Sequence, residues 1–391
     1  MGSATERPTK PDNKPPETLL LNCRLDGNGM DSRRLVAHRW SDIGESTWET
    51  VMAAVTYGID IAKNVFQVHG VDEDGRVVVR KRLSRAQLKR FFSNHPPTLI
   101  AMEACSGSHY WARVLSDNGH DVRLIAPQFV KPYVRGNKND GNDAAGICEA
   151  VGRPDMRFVA AKTPEQTSIL MLHRVRDRLI GQRTALINQI RGYLAEFGIV
   201  IRKGASCVRR ELPSILEDAE NAVPWSAREM FAALYEELVL LDGRLKKQDG
   251  RLRAVFDADP QCKKLAAVEG VGVLTATAFV ATIGDPTVYK NGRQVAAWLG
   301  LTPREHSSGG KQRQLGITKR GDCYLRKLLI HGARSALRVT PRRQDRKSRW
   351  VEGIRARAHD NVAAVALAAK NTRILWSLLA NEGEYNPALS A

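Results

Sequence analysis

One stretch limits the fold more than any other: residues 55–71, V-T-Y-G-I-D-I-A-K-N-V-F-Q-V-H-G-V. With a period of two, Tyr57, Ile59 and Ile61 share one face of an extended segment, and Gly58, Asp60 and Ala62 share the other. A second alternating run covers 65–71. Asp72-Glu73-Asp74-Gly75 is a turn signal, and 76–83, with Val77-Val78-Val79, reads as a third strand. The pattern predicts a β-meander with a carboxylate in the middle of its first and most apolar strand. Aspartate is depleted in strands, and burying its charge unpaired costs several kcal/mol or more. Asp60 therefore requires compensation, from nearby Lys63, from water at a strand end, or from a cation shared with other acids.

The chain supplies other acids in similar settings. Ser84 caps a predicted helix through Phe92, and 98–103 is a short buried strand that ends on Glu103. A helix over 109–117 closes at Asn118-Gly119, and Pro127 stops a fifth strand over 121–126. Three strands followed by α-β-α-β predict an α/β unit with a mixed sheet. In N-K-N-D-G-N-D-A-A, Asn139 is a helix N-cap, which puts Asp140 and Asp143 on one face of the first turn. Like charges at that spacing repel, so the pair is costly unless a cation sits between them.

Beyond this the pattern turns helical. Thr163-Pro164-Glu165 is a strong helix start, with the helix expected to reach about 197. A second long periodic segment, 226–256, carries Leu234, Leu238, Leu241, Leu245 and Leu252 near heptad spacing. The two predict an antiparallel, structural and oligomerising arm joined by a Pro-containing connection. Val268-Glu269-Gly270-Val271-Gly272 resembles the turn of a helix-hairpin-helix, whose backbone N–H groups can hold a phosphate. A plain helical corner is the alternative. A short helix over 291–301, a polar loop over 302–317, a helix from 319–322 to about 339, a basic stretch over 342–349 and a final helix over 358–379 complete the expectation.

Charge narrows the function. The 391 residues carry a net charge of +18, and residues 301–350 hold fourteen Lys/Arg against three Asp/Glu. Over half the excess thus lies in one folded segment, which points to a polyanion, by default nucleic acid. Residues 1–50 carry seven Lys/Arg and eight Asp/Glu in a Pro-, Asn- and Gly-rich context. They read as a disordered extension ahead of a start at Met52. The six cysteines include no CxxC pair, against a zinc site or disulfide framework and in keeping with a cytoplasmic protein. No signal-peptide core and no apolar run of membrane-spanning length is expected.

Four acids, Asp60, Glu103, Asp140 and Asp143, with no His or Cys cluster, suit hard-oxygen coordination of Mg²⁺ or Mn²⁺. Two such ions about 4 Å apart can hold the attacking and leaving oxygens of an in-line phosphoryl displacement. In a basic chain this reads as a nuclease or a strand-transfer enzyme.

The motifs Y-G-I-D-I-A-K-N-V-F-Q-V-H-G, I-A-M-E-A-C-S-G-S-H-Y-W, A-P-Q-F-V-K-P-Y-V-R, N-K-N-D-G-N-D-A, E-G-V-G-V-L-T-A-T, G-R-Q-V-A-A-W-L-G-L-T-P-R, H-S-S-G-G-K and G-I-T-K-R-G-D-C-Y-L-R follow one another from 57 to about 337. In that order they resemble the DEDD transposases of insertion elements, to which the Piv-type DNA invertases are related. The resemblance implies a RuvC-like, RNase H-like unit at 52–160 whose metal-holding acids fall on Asp60, Glu103, Asp140 and Asp143. It also implies a helical arm at 163–258 and a C-terminal transposase unit at 260–385. In that unit a serine, Ser308 with Ser307 as runner-up, attacks DNA to form a phosphoserine link. Arg304, Lys311, Arg313, Lys319 and Arg320, with Gly270 and Gly272, would meet nucleic acid. Implied partners are donor and target DNA, a structured guide (bridge) RNA that pairs with both, and further copies of the chain in a dimer or tetramer. No membrane is implied.

Two other readings stand beside this one. In the first, a metal-dependent junction resolvase or nuclease uses water in place of Ser308. In the second, the chain is a non-enzymatic binder of DNA or RNA. No G-x-x-x-x-G-K-[ST] loop is present, in keeping with recombination that needs no ATP. Mass spectrometry of the native N-terminus is expected to find Met52 first, and a mature chain starting at Met1 would refute the extension.

Overall fold

The computed structural model describes residues 54–136 and 139–387; the expectations for 1–50 and for Met52 lie outside the described residues. The meander and the α/β alternation form one mixed sheet of six strands: β1 (Thr56–Ile61), β2 (Val65–Val71), β3 (Val77–Ser84), β4 (Leu99–Glu103), β5 (Asp121–Ile125) and β6 (Phe158–Val159), in the order β3-β2-β1-β4-β5-β6. The first three strands pair antiparallel, and β1, β4 and β5 run parallel. The β6 strand, not expected from the sequence, has two residues, too few to carry a period. The layout is consistent with an RNase H-like fold.

The two faces of β1 divide as its alternation requires. Tyr57 and Ile59 pack with Phe66, Val68 and Val79 against Leu88 and Phe92 of α1 (Arg85–Ser93) and Trp111 and Leu115 of α2 (Ser108–Asp117). A Ser84–Gln87 capping box starts α1. On the opposite face Ala101 and Ile125 pack under Ile147, Ala150 and Val151 of α3 (Asp140–Val151), whose N-cap Asn139 accepts from the Asn142 N–H at 2.8 Å.

The contact that positions α3 is made at Gly58. A Cβ built there would lie 2.2 Å from the Ala144 carbonyl oxygen and 2.5 Å from the Cys148 nitrogen, both backbone atoms. Only glycine lets the helix backbone come this close to the strand.

The arm is antiparallel, as expected. In α4 (Pro164–Ala195) and the second long helix, Trp225–Ala258, the ion pairs Arg176–Asp249 and Arg183–Asp242 step in opposite directions along the two chains. Leu186, Ile190 and Leu194 pack with Phe231, Leu238, Leu241 and Leu245. The connection is not simply a loop: it holds α5 (Ala205–Glu217), with Pro213 inside it, ahead of the second long helix, α6.

The C-terminal part is mostly helical. It contains α7 (Pro260–Ala266), α8 (Val273–Ile283), α9 (Gly292–Trp298), α10 (Cys323–Leu337), α11 (Arg346–Arg355) and α12 (Asp360–Ala380) around Leu265, Phe279, Leu299, Leu325, Leu329, Leu367 and Leu375. The arm is tied in by buried His173, which lies 3.0 Å from both Tyr324 Oη and Thr277 Oγ1. Thr277 gives its proton to the Val273 carbonyl, so it accepts from His173 Nε2–H, and Nδ1 accepts from Tyr324. That network assigns a neutral ring, in line with a His173 pKa pushed down to about 4, first by burial and then by Arg176 and Arg174.

Three expectations are corrected here. The stretch 302–317 is not a loop but a hairpin of β7 (Pro303–Glu305) and β8 (Gln314–Ile317). Gly309 and Gly310, at φ 57° and 76°, turn it with the positive φ at both central positions that hairpins favour. The basic stretch 342–349 leads into α11, whose N-cap Asp345 accepts from the Ser348 N–H. Its Lys347 is buried against Glu269 and Tyr385, so part of that charge is structural. Finally, α12 is long and apolar enough to cross a membrane, contrary to the expectation that no run is; here half of its apolar window is buried in the helical core.

Gly58→Ala is expected to cost about 3 kcal/mol, the upper end for overpacking, because the clash is with backbone that no rotamer can move. Urea denaturation checks this; a variant with an unchanged midpoint would mean that α3 is free to shift.

Candidate metal centre

Asp60 lies near the end of β1, opposite Gln67 on β2. The first turn of α3 carries Asp140 and Asp143. Because Gly58 seats α3 directly on β1, that turn overhangs the strand end. One carboxylate oxygen from each of Asp60, Asp140 and Asp143 lies within 4.8 Å of the others. The two helix acids sit where the N-terminal dipole favours negative charge, which offsets part of their mutual repulsion.

Glu103 is not in this group of three but is its neighbour. Ile59 pairs with Met102 in the parallel register, so Asp60 and Glu103 follow one another on adjacent strand ends, on the face that carries Gly58 and Ala101. The Cys105 thiol senses both: burial first, then the charges of Glu103 and Asp60, raise its pKa. Among the described residues the donors that gather here are carboxylate oxygens without His or Cys, a set that fits a hard divalent cation and not zinc.

The other predicted residues lie elsewhere. Ser308 is exposed at the hairpin tip; its carbonyl accepts from the Lys311 N–H at 3.0 Å, and its hydroxyl has no partner among the described residues. Ser307, by contrast, donates to Glu305 Oε1 at 2.6 Å and accepts from the Arg313 N–H. The hairpin also exposes Arg304, Lys311 and Arg313, and Lys319 and Arg320 are exposed on the loop after it, with Lys319 at φ 58°. Gly270 faces inward: a Cβ there would lie 2.5 Å from the Gly332 carbonyl oxygen of α10, whereas Gly272 is open at the start of α8. Next to them Glu269 is held by Arg343, Lys347 and Tyr385. Sequence reasoning missed Gly58 as the positioning residue; a glycine within an otherwise β-branched and aromatic strand was the available signal.

With this geometry in view, comparison with known proteins is decisive. Residues 57–199 match the DEDD transposase model of the IS110 group, and 262–348 match the model described as Transposase IS116/IS110/IS902 family. The chain is 50% identical over 331 residues to a probable family 20 transposase of Pseudomonas aeruginosa, covering 84% of this chain and 98% of that one. The chain belongs to the IS110/IS116 family of insertion-element transposases. It is 44% identical to the transposase for insertion sequence element IS1111A of Coxiella burnetii, covering 84% of this chain and 90% of the relative. It is 40% identical to the transposase for element IS1328 of Yersinia enterocolitica, covering 82% and 95%. The transposase is thus an enzyme that cleaves and rejoins DNA, and its DEDD family implies use of a divalent metal, in agreement with the acidic group at the end of β1.

The site should report its own occupancy. Mg²⁺ at about 100 times its dissociation constant is expected to stabilise the transposase by about 2.7 kcal/mol. Asp60→Asn and Asp143→Asn should abolish that gain, because each removes one of the three carboxylates that converge there. Scanning calorimetry with and without metal decides it: a parent protein unmoved by either Mg²⁺ or Mn²⁺ would rule out this centre.

Proposed function

We propose that the transposase recombines donor and target DNA through a covalent phosphoserine intermediate formed by Ser308, with Mg²⁺ or Mn²⁺ held by Asp60, Glu103, Asp140 and Asp143. The observation that carries the reading is the convergence of Asp60, Asp140 and Asp143 carboxylates within 4.8 Å, in a chain of this family. The division of labour follows the units at 52–160 (RuvC-like, metal-holding), 163–258 (arm) and 260–385 (serine-bearing).

Bound at the carboxylates, a divalent cation supplies electrostatic stabilisation to the phosphoryl oxygens as charge develops on them. The chain's own residues do the rest. The Ser308 Oγ forms a bond to phosphorus as one backbone P–O ester bond breaks, so the ester count is conserved. A DNA hydroxyl later reverses the exchange and reseals the strand. An exposed hydroxyl at a tight hairpin tip, with Ser307 occupied by Glu305, favours Ser308 over its neighbour. Arg304, Lys311 and Arg313 on the same hairpin, with Lys319 and Arg320 beyond it, are suited to hold phosphate oxygens near that tip. Gly272 offers backbone at the open start of α8, and Gly270 shapes the turn before it.

A structured guide RNA that reads sequence by pairing is carried by the family resemblance; the protein then needs charge and helix ends to hold backbones. Assembly of two or four copies is supported by the arm, where Met171, Tyr193, Val200, Trp225, Met230 and Leu240 are large apolar side chains exposed to solvent. The proposed setting is the bacterial cytoplasm.

A second reading keeps a specific observation on its side: the acidic group is assembled without Ser308, as a water-using resolvase or nuclease would need. Ser308→Ala separates the two. Given a recombining donor–target pair, the substitution is expected to abolish both the protein–DNA adduct on a denaturing gel and the recombinant product, by at least about 10³-fold. Ser307→Ala should keep the adduct, and Asp60→Asn should lose both. Strand cleavage that persists in Ser308→Ala without an adduct would instead establish hydrolysis.

A further inference from the structure

We infer that the face of β2 and β3 beside the acidic group is a track for the backbone of the DNA strand being cut, with Arg80 and Arg82 as its phosphate-holding residues. This rests on the reading of Asp60, Asp140 and Asp143 as the metal centre and adds to it a route by which the strand arrives.

The sheet register carries the argument. Asp60 pairs with Gln67, and Gln67 pairs with Arg82. One step along, Gly58 pairs with His69, and His69 pairs with Arg80. Directly opposed residues share a face, so two rows run across the sheet from the edge strand toward the centre: Arg82–Gln67–Asp60 and Arg80–His69–Gly58. Lys81, between the two arginines, falls on the other face, where its ammonium lies 5.5 Å from the centre of the Phe91 ring. The alternation therefore aims two cations, and not three, at the side where the carboxylates are.

That side is concave. Gln67, His69, Arg80 and Arg82, with Val68 and Lys81 between them in the chain, line a groove of about 380 Å³, whose far wall is Gly141, Asn142, Ala144 and Ala145 in the first turns of α3. The wall is the helix that delivers Asp140 and Asp143, so the groove opens beside the acidic group. Both arginines are exposed, and neither has a hydrogen-bond or ion-pair partner among the described residues. Two strand spacings of about 4.8 Å separate β3 from β1. Phosphates that follow one another along a strand recur on a similar scale, about one or two of them within that reach. A strand with its reacting phosphate over the carboxylates would lay a neighbouring phosphate between the two guanidiniums. The uncut phosphate meets cations and the cut one meets acids, a charge order that sets the register of the strand.

Charged side chains on an edge strand also have a protective use, because they discourage pairing with another sheet. The test must tell that use from phosphate binding, and charge reversal does so: glutamates guard an edge as well as arginines but repel phosphate. In the full chain, binding of a labelled single-stranded DNA oligonucleotide is followed by fluorescence anisotropy across a salt series. Arg80→Glu/Arg82→Glu is expected to weaken binding at least tenfold and to flatten the slope of log K against log salt by about 1.4, two contacts at about 0.7 each on a single strand. Arg80→Lys/Arg82→Lys should keep the slope. Asp60→Asn should do the reverse of the glutamate variant in a Mn²⁺ titration, losing the ion while keeping the salt slope. A glutamate variant that binds DNA with parental affinity and slope overturns the track. So does a slope lost for an RNA oligonucleotide of the same sequence but kept for DNA. A parent chain that takes up no Mn²⁺ overturns the metal centre instead, and the two failures are separately visible.

Discussion

The close seating of α3 on β1 at Gly58 is the constraint on which the acidic group depends. Backbone meets backbone there, with the place of a Cβ filled by the Ala144 carbonyl and the Cys148 amide. Such a contact has no slack, because neither partner is a side chain that can rotate away. It fixes the height and axial position of the helix, and through them the first turn with Asp140 and Asp143. The Asn139 cap then fixes where that turn begins. Carboxylates supplied by a strand and by a helix start are held on rigid elements, which gives a more precise geometry than a loop can.

Charge in this transposase has two uses. Some of it is structural: Glu269 gathers Arg343, Lys347 and Tyr385 and so ties the turn between α7 and α8 to the last helices, while Arg176 and Arg183 pair with acids across the arm. The remainder is exposed and cationic, above all on the β7–β8 hairpin and the loop that follows it. The strong positive excess of 301–350 overstates the surface available to nucleic acid, since Lys347 is buried and Arg326 and Arg334 of α10 donate to the Leu299 carbonyl and to Asn361 of α12. The exposed cations of that segment include Arg304, Lys311 and Arg313 on the hairpin, Lys319 and Arg320 after it, and Arg338, Arg342, Arg346 and Arg349 farther along the chain.

Several features were legible in the sequence for plain reasons. The meander showed as alternation, and the helix starts at Ser84, Asn139 and Thr163 showed as capping chemistry, which acts over three or four residues and needs no tertiary partner. The antiparallel arm showed in its leucine spacing. Less was visible where short elements borrow stability from elsewhere. The β7 and β8 strands have three and four residues, and their Ser-Ser-Gly-Gly tip looks like a flexible loop until two positive φ values define the turn. In the same way α11 reads as a run of cations because its buried lysine has a partner 78 residues away.

By itself, the sequence determined the type of elements, the surplus of positive charge and the presence of acids that a strand or a helix start does not readily tolerate. Those properties are local, set by periodicity, capping and the solvation of single groups. Only the tertiary structure decided which acids meet. Asp60 and Asp143 are far apart along the chain, and their convergence depends on a helix crossing a strand at a glycine, an event with no local signature. The same holds for Arg80 and Arg82, whose relation to Asp60 exists only once strand register has placed three separate segments side by side.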